Sequence, residues 1–291
     1  MIARRLKNKI VREARTLGAD LVGFAPVSRW TEFDEVPEAY RPQAIWNRTK
    51  TVIVLGVPML LPIIESTPSI NYTVMYDTSN VLLDQAAYRL AILLNGLGHA
   101  SLFIPRDGYG SLEVLLEKMP GCFSHVYAGK YAGLGTIGYN HLLLNRKYGP
   151  RARYVSVFTG AEIEGDPLIE QELCNGCGLC KKLCPTQSFE TVEGSLLATF
   201  DAVGCTRYHQ QLLEEKRWPC GVCAKVCPTG EDRRLYASTR VGLYLREHEA
   251  IAENPNDPRF RHLVHLRTHG SHGNGESPPR IGTKRKPESD P

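Results

Sequence analysis

Eight of the nine cysteines in this 291-residue chain fall into two ordered sets. The first is Cys174-x2-Cys177-x2-Cys180-x3-Cys184-Pro185, and the second is Cys205-x14-Cys220-x2-Cys223-x3-Cys227-Pro228. This is the spacing of a protein that holds two [4Fe–4S] clusters. Thiolates on one tight turn reach three corners of a cubane, while the cysteine before each proline leaves the turn and ligates the other cluster. The expected ligand sets are therefore Cys174, Cys177, Cys180 and Cys227 for one cluster, and Cys184, Cys205, Cys220 and Cys223 for the second. Cys205 departs from the compact spacing.

Structural zinc also uses paired C-x2-C turns, but it is satisfied by four ligands from two such pairs. Here a third and a fourth cysteine accompany each turn. Disulfides are a poorer reading, because the opening residues lack the apolar core of a secretory signal and close-spaced clusters of this kind do not staple loops. Soft thiolates and an electron-transfer cofactor fit a reducing, cytoplasmic compartment. The ninth cysteine, Cys122, has no second cysteine nearby and is expected to be a small buried filler.

The length leaves room for one sizeable α/β core and a smaller cluster domain. The most apolar stretch, Val52 to Ile64, is too short to span a bilayer and is broken by Gly56, Pro58 and Pro62, so no membrane association is expected. A net charge of +4 is too slight to argue for a nucleic-acid partner without a concentrated basic face. The one candidate face is the opening helix. Ile2, Leu6, Ile10, Ala14 and Leu17 recur at helical spacing, Arg4, Arg5, Lys7, Lys9, Arg12 and Arg15 occupy the other side, and Gly18 stops the helix. The basic side could meet RNA phosphates or an acidic redox partner, but a solvated helix face is the more frequent explanation of such a pattern.

Strands are expected at Leu21 to Ala25, Thr51 to Val57, Ser101 to Ile104 and Tyr154 to Phe158. A helix is expected from Asn80 to Asn95, with Leu82, Ala86, Leu90 and Leu93 on its buried stripe and Gly96 and Gly98 ending it. The domains then read as an α/β unit over residues 1–165, in mostly three layers, and a cluster domain over 166–231. A helical segment over 232–267 follows, running from about Arg233 to Glu253 and packing through Leu235, Val241, Leu245 and His248. The Gly-, Ser-, Pro- and Lys-rich stretch 268–291 is expected to be disordered. His262, His265, His269 and His272 carry no cysteine or carboxylate framework, and no metal is assigned to them.

One further segment is chemically loaded, Ala132 to Leu144. Its glycines match G-x-G-x-x-G at Gly133, Gly135 and Gly138, but no βαβ unit with an acidic residue about 20 positions on accompanies them, so the match is weak evidence for a dinucleotide. It does indicate backbone that turns tightly or approaches something bulky.

Taken in order, Leu17 to Pro26, Gly133 to Leu144, Cys174 to Pro185 and Cys220 to Pro228 resemble the cobalamin-dependent epoxyqueuosine reductases and their reductive-dehalogenase cousins. The resemblance spans roughly residues 15 to 230. It implies a nitroreductase-like α/β domain that holds base-off cobalamin beside a ferredoxin-like double [4Fe–4S] domain. It also implies that Gly135, Thr136, Ile137, Gly138 and Asn140 line the corrin, by analogy with the family's G-W-I-G-K-N loop. The family's acidic proton donor lies in a segment that Asn71 to Ser79 resembles, which makes Asp77 the candidate general acid, raised in pKa by an apolar pocket under the corrin. Tyr72 and Tyr76 are the alternatives, and a helix-capping role for Asp77 is the plain structural reading.

The departures are informative. Thr136 stands where the family has Trp, Tyr139 where it has Lys and His141 where it has Thr, and the segment around Asp77 lacks the family's Arg, Gly and Tyr-His companions. Only 64 residues follow Cys227, too few for the helical-repeat domain that extends many epoxyqueuosine reductases toward tRNA, so transfer RNA has little support as a partner. The implied function is an oxidoreductase in which two cubanes, fed by a low-potential ferredoxin- or flavodoxin-type donor, pass electrons to cobalamin acting on a small-molecule or protein-bound substrate. The alternative is an electron-transfer protein that reactivates a partner's corrinoid and carries no cobalamin itself.

Overall fold

The computed structural model describes residues 2–272. Its centre is set by a β-branched run, TVIVLGVP, which forms β2 (Thr51–Pro58) and is buried on both faces along nearly its whole length. Such a strand needs cover on both sides. It lies inside a four-stranded sheet of order β1-β2-β6-β3, with β1 at Leu21–Pro26, β3 at Ser101–Ile104 and β6 at Ala152–Thr159. Every pair is antiparallel, with Gly23 opposite Val54, Val54 opposite Ser156 and Phe103 opposite Val157.

Alternation of side chains along the strands gives two cores. Ile53, Leu55, Val57, Val155 and Val157 face the opening helix Ile2–Thr16, through Ile10 and Ala14, and the long helix Ile70–Gly96, through Leu83, Ala86, Ala87, Leu90 and Leu94. Val52, Val54, Tyr154 and Phe158 face Trp30, Phe123, Ala128 and Tyr131 on the other side. The result is the expected mixed α/β arrangement in three layers. Truncating a fully buried side chain such as Leu90 to Ala should cost about 2–5 kcal/mol. On the basic side of the opening helix, Lys7 is committed to Asp166, at 2.7 Å.

The long helix begins ten residues earlier than the sequence pattern suggests. Ser69 caps it, its hydroxyl accepting from the Tyr72 amide at 3.2 Å, directly after Pro68. The buried stripe therefore runs Tyr72, Tyr76, Ser79, Leu83, Ala86, Leu90 and Leu94, and the expected stripe residue Leu82 is 47% exposed.

The cluster lobe is made of short helices, Leu179–Lys182, Ala202–Glu214 and Val222–Val226, with a small hairpin, β7 (Phe189–Glu190) with β8 (Thr199–Phe200), while a second hairpin, β4 (Thr136–Ile137) with β5 (Leu143–Leu144), packs on the helix His125–Tyr131 of the α/β unit. Gly178 and Gly221 both enter their helices from the left-handed region, at φ 70° and 68°, so the segments Cys177 to Cys180 and Cys220 to Cys223 repeat one conformation. Arg151, fully buried at the start of β6, fastens the lobe to the sheet. It grips both carboxylate oxygens of Asp232 at 2.7 Å and donates to the carbonyls of Ala224, Cys227 and Thr229.

The helix expected over Arg233 to Glu253 is broken. It consists of Asp232–Leu235 and Leu243–Glu253, separated by a turn in which Ala237 takes φ 51°, and Leu235 is 76% exposed. Tyr244, Glu247 and Ile251 are the buried residues of the second piece, the expected Val241 and Leu245 pack, partly buried, against the same core as Tyr244, and His248 is half-buried. A last helix, Arg261–Thr268, leads to His272, whose amide donates to the Glu215 carbonyl at 2.9 Å. The rest of the stretch expected to be disordered lies outside the described residues. Among the described residues no helix is long and apolar enough to cross a membrane.

Candidate cluster sites and adjoining cavity

The structure brings the eight motif cysteines together in two groups of four. Cys174, Cys177, Cys180 and Cys227 line one small cavity with Tyr139, Asn140 and Thr229. Burial, and then the proximity of Cys227, Cys177 and Cys174, pushes the Cys180 thiol up to about 12. In the second group, burial and then Cys184 push Cys205 up to about 11, and burial followed by Cys205 and Cys184 pushes Cys220 up to about 12. Cys223 is raised by burial and by Cys220, Cys205 and Cys184. Four crowded thiols of this kind ionise together only around a positive centre, which is what iron supplies. All are free of disulfides. Among the described residues no three His, Cys, Asp or Glu group as around a single metal ion, and thiolates ringing a cubane stand apart around a larger body. A [4Fe–4S] cluster fits either group, and when bound it would supply one-electron transfer.

Each group has buried members, Cys180 in the first and Cys184 and Cys220 in the second, but only the first has an exposed one, Cys177. The second group faces the α/β domain. A Cβ placed on Gly221 would lie 2.8 Å from the Tyr72 hydroxyl oxygen, so Tyr72 rests on the turn between Cys220 and Cys223. Tyr72 meets Tyr76 edge-on at 6.4 Å, and Tyr76 meets Trp218 edge-on at 4.8 Å. Arg153 lies over the Tyr76 ring at 4.2 Å, and the Tyr76 hydroxyl donates to Asp107 at 3.4 Å. Both tyrosines are buried, which raises their pKa well above the ordinary phenol value.

Asp107 and Arg153 open onto a cavity of about 470 Å³ whose wall also includes Arg106, Tyr109, His125 and Tyr154. Arg153 is fixed by Asn80 at 3.1 Å and Asp107 at 2.9 Å. His125 sits between the Ser156 hydroxyl and the Pro105 carbonyl, both at 2.8 Å, and burial drives its pKa down to about 4, so it is neutral near pH 7. Burial and then Asp107 push the Tyr109 phenol up to about 12. The cavity thus offers a fixed cation, a carboxylate and phenols that hold their protons. None of Asp107, Arg153, Tyr109 or His125 stood out in the sequence. The available signals were an arginine inside an otherwise apolar strand and the Arg106-Asp107-Gly108 turn that follows β3.

Several sequence-named residues fall elsewhere. Asp77 lies in the middle of the long helix on its exposed face, so it neither caps a helix nor sits in an apolar pocket. Partial burial raises its pKa, while Arg106 lowers it and Asp107 raises it, which places it near the cavity's charged groups. Gly135, Thr136, Ile137, Gly138 and Asn140 do not present a surface to a corrin. A Cβ on Gly135 would collide with the Leu144 carbonyl, and one on Gly138 would come within 2.8 Å of Leu144 Cδ1, so these glycines permit the β4–β5 hairpin. The Thr136 hydroxyl accepts from the Leu173 amide at 3.0 Å, Asn140 donates to the Cys223 carbonyl at 3.3 Å, and Ile137 is buried. The loop seats the cluster lobe, and just beyond it only Leu142 and Leu143 reach the large cavity. Cys122 is exposed at a loop, its amide bound to the Gly108 carbonyl, and is not a buried filler.

A family model for 4Fe-4S binding domains matches residues 167–190. A tetrachloroethene reductive dehalogenase of Desulfitobacterium hafniense is 27% identical over 223 residues, covering 62% of this chain and 38% of its own length. An epoxyqueuosine reductase of Bacillus cereus is 25% identical over 204 residues, covering 62% of this chain and 52% of its own. This chain is similar to the reductive dehalogenases and epoxyqueuosine reductases. It spans about two fifths of the dehalogenase's length and about half of the reductase's. A solved catabolic reductive dehalogenase in complex with 3-bromo-4-hydroxybenzoic acid shares the fold, with a TM-score of 0.61 at 20% identity over 97% of this chain and 41% of the dehalogenase.

Proposed function

We propose that this chain is an iron–sulfur oxidoreductase of the epoxyqueuosine reductase and dehalogenase kind, in which two [4Fe–4S] clusters deliver single electrons toward the cavity beside Asp107 and Arg153. The observation that carries this reading is the position of Tyr72. It touches the turn that holds Cys220 and Cys223 and leads through Tyr76 to the cavity wall. Cys174, Cys177, Cys180 and Cys227 would hold the cluster nearer solvent, and Cys184, Cys205, Cys220 and Cys223 the inner one. The three-layer antiparallel core supports the nitroreductase-like assignment of the α/β domain.

The residues of the site divide the remaining work. Arg153 places positive charge where negative charge develops on a reduced group, and its bond to Asp107 holds it there. Tyr76, hydrogen-bonded to Asp107, is placed to hold a proton at its hydroxyl, with Tyr72 behind it. Asp77 stands outside this arrangement.

Base-off cobalamin is the electron acceptor that the relationship implies, and when bound it would supply the reductive chemistry. The loop from Gly135 to Asn140 does not fit it. Leu142, Leu143 and the cavity wall would have to hold it, and the enclosed volume suits a drug-sized molecule, so a corrinoid would be only partly enclosed there. The substrate class, small molecule, protein-bound group or tRNA, is set by what enters this cavity.

Anaerobic reconstitution with iron and sulfide, followed by addition of cobalamin, tests the reading. About eight irons per chain and a base-off cobalt EPR signal support it. Four irons overturn the two-cluster reading, and eight irons without cobalamin uptake overturn the cobalamin part alone.

A further inference from the structure

Two buried guanidinium groups donate to the same carbonyl oxygen, that of Cys227: Arg151 through Nη1 at 3.1 Å and Arg233 through Nε at 2.7 Å. Their surroundings differ. Arg151 is neutralised by its two-pronged pairing with Asp232. Arg233, only 2% exposed, donates otherwise to the carbonyls of Ser238 and Lys225 and to the Tyr244 hydroxyl, so every partner is neutral. The nearby carboxylates are otherwise engaged. Glu247 serves Lys225 and Arg267, Asp232 serves Arg151, and Glu65 reaches Arg233 only indirectly, through the Tyr244 hydroxyl, which donates to it at 2.8 Å, and through Ser238, whose hydroxyl also donates to it. The Tyr244 ring adds a cation–π contact at 5.5 Å.

A guanidinium cannot escape burial by losing its proton, and a buried charge without a counter-charge is strongly disfavoured. A counter-charge would stand on the far side of Cys227 once a cluster is held by Cys174, Cys177, Cys180 and Cys227. In a [4Fe–4S] site four thiolates outweigh the positive core, and each added electron makes the site more negative. A fixed cation beside one ligand therefore favours the reduced state of that cluster, since net charge and hydrogen bonding around the sulfurs set cluster potentials. The second group lacks this feature, because Arg217, the cation beside Cys220, is paired with Glu215.

We propose that Arg233 is the buried counter-ion of the cluster held by Cys174, Cys177, Cys180 and Cys227, and that it makes this cluster the easier of the two to reduce; the proposal rests on the two-cluster reading above. Because this cluster lies on the side where Cys177 is exposed, an electron arriving from outside the chain would rest there before moving inward.

The test is an EPR-monitored redox titration of the reconstituted full-length protein, with signals assigned from Cys227→Ser. Wild-type iron content comes first: four irons per chain would remove the two-cluster reading itself, separately from the role of Arg233. In protein with eight irons, Arg233→Gln should lower the one-electron reduction constant of one cluster tenfold or more, about 59 mV per tenfold. The other cluster should stay within threefold, and Arg233→Lys should restore most of the loss. Glu65→Gln, which removes the nearest indirect anion and leaves Arg233 in place, should move the same cluster in the opposite direction. This second variant decides the matter if Arg233→Gln fails to load iron. Unmoved potentials, or equal shifts in both clusters, overturn the proposal.

Discussion

The ring of Tyr72 fills the space in which a side chain at Gly221 would stand, with a Cβ there lying 2.5 Å from Tyr72 Cε1 and 2.7 Å from its Cζ. Gly221 is glycine for two separable reasons. Its φ of 68° penalises any side chain by about 1–2 kcal/mol, and the ring against it penalises one again. Gly178, the equivalent position in the other turn, has φ 70° with nothing within 4 Å of its Cβ position. Gly178→Ala should therefore cost only the backbone strain, while Gly221→Ala should cost more and displace Tyr72. Anaerobic melting of the two variants measures the difference. Equal losses would mean that Tyr72 yields freely and is not seated against the cluster turn.

Ligation that crosses between the motifs makes a prediction about iron. Cys227 follows the second motif but shares a cavity with Cys174, Cys177 and Cys180. Cys227→Ser should damage the cluster of the first motif and leave the one at Cys220 and Cys223 in place, with iron content falling from about eight toward about four. Mössbauer or EPR spectra of the variant show which cluster survives. Loss confined to the Cys220 and Cys223 cluster would reverse the assignment.

What the sequence made legible was local. Spacing alone located the cysteine turns, because tight glycine-bearing turns leave a fixed register, and short apolar runs, β-branched in Thr51 to Val57, located all four strands of the main sheet. The start of the long helix was not legible from hydrophobic periodicity, since its first turns bury Tyr72, Tyr76 and Ser79, aromatic and polar residues that a Leu/Ala stripe does not register. The glycine loop misled for a related reason. Glycines report only that backbone comes close to something, and here the neighbour is Leu144 of the same hairpin. Asp107 and Arg153 are 46 residues apart and meet only when β3 pairs with β6, so no local pattern could join them.

Asp107 and Asp77 should separate cleanly. Asp107 accepts from Arg153 at 2.9 Å and from Tyr76 at 3.4 Å, and it lies 3.6 Å from Arg106, all at the cavity wall. Asp77 is exposed on the long helix. Asp107→Asn should destabilise the protein by about 1–3 kcal/mol, discounted from a fully buried pair because Arg153 keeps some solvent access. Asp77→Asn should stay within about 0.5 kcal/mol of wild type. Anaerobic denaturant titration compares them. The reverse order would return Asp77 to the site and remove the case for Asp107.

His125 gives the fold a defined acid sensitivity. Burial lowers its pKa from 6.5 to about 4, because a charged ring between the Ser156 hydroxyl and the Pro105 carbonyl would have no solvent around it. The unfolded chain takes up a proton at this ring as pH falls through about 6.5, whereas the folded chain refuses it until about 4. The stability that neutral His125 contributes is thus fully present above about pH 6.5, is lost progressively as pH falls, and is gone near pH 4, amounting to roughly 3 kcal/mol over that window. His125→Gln can keep both hydrogen bonds but carries no titrating group. Its unfolding free energy should depend on pH between 6.5 and 4 less steeply than that of the wild type, with the two curves drawing together toward the acid end. Parallel curves across that window would show that His125 already carries its proton in the folded protein.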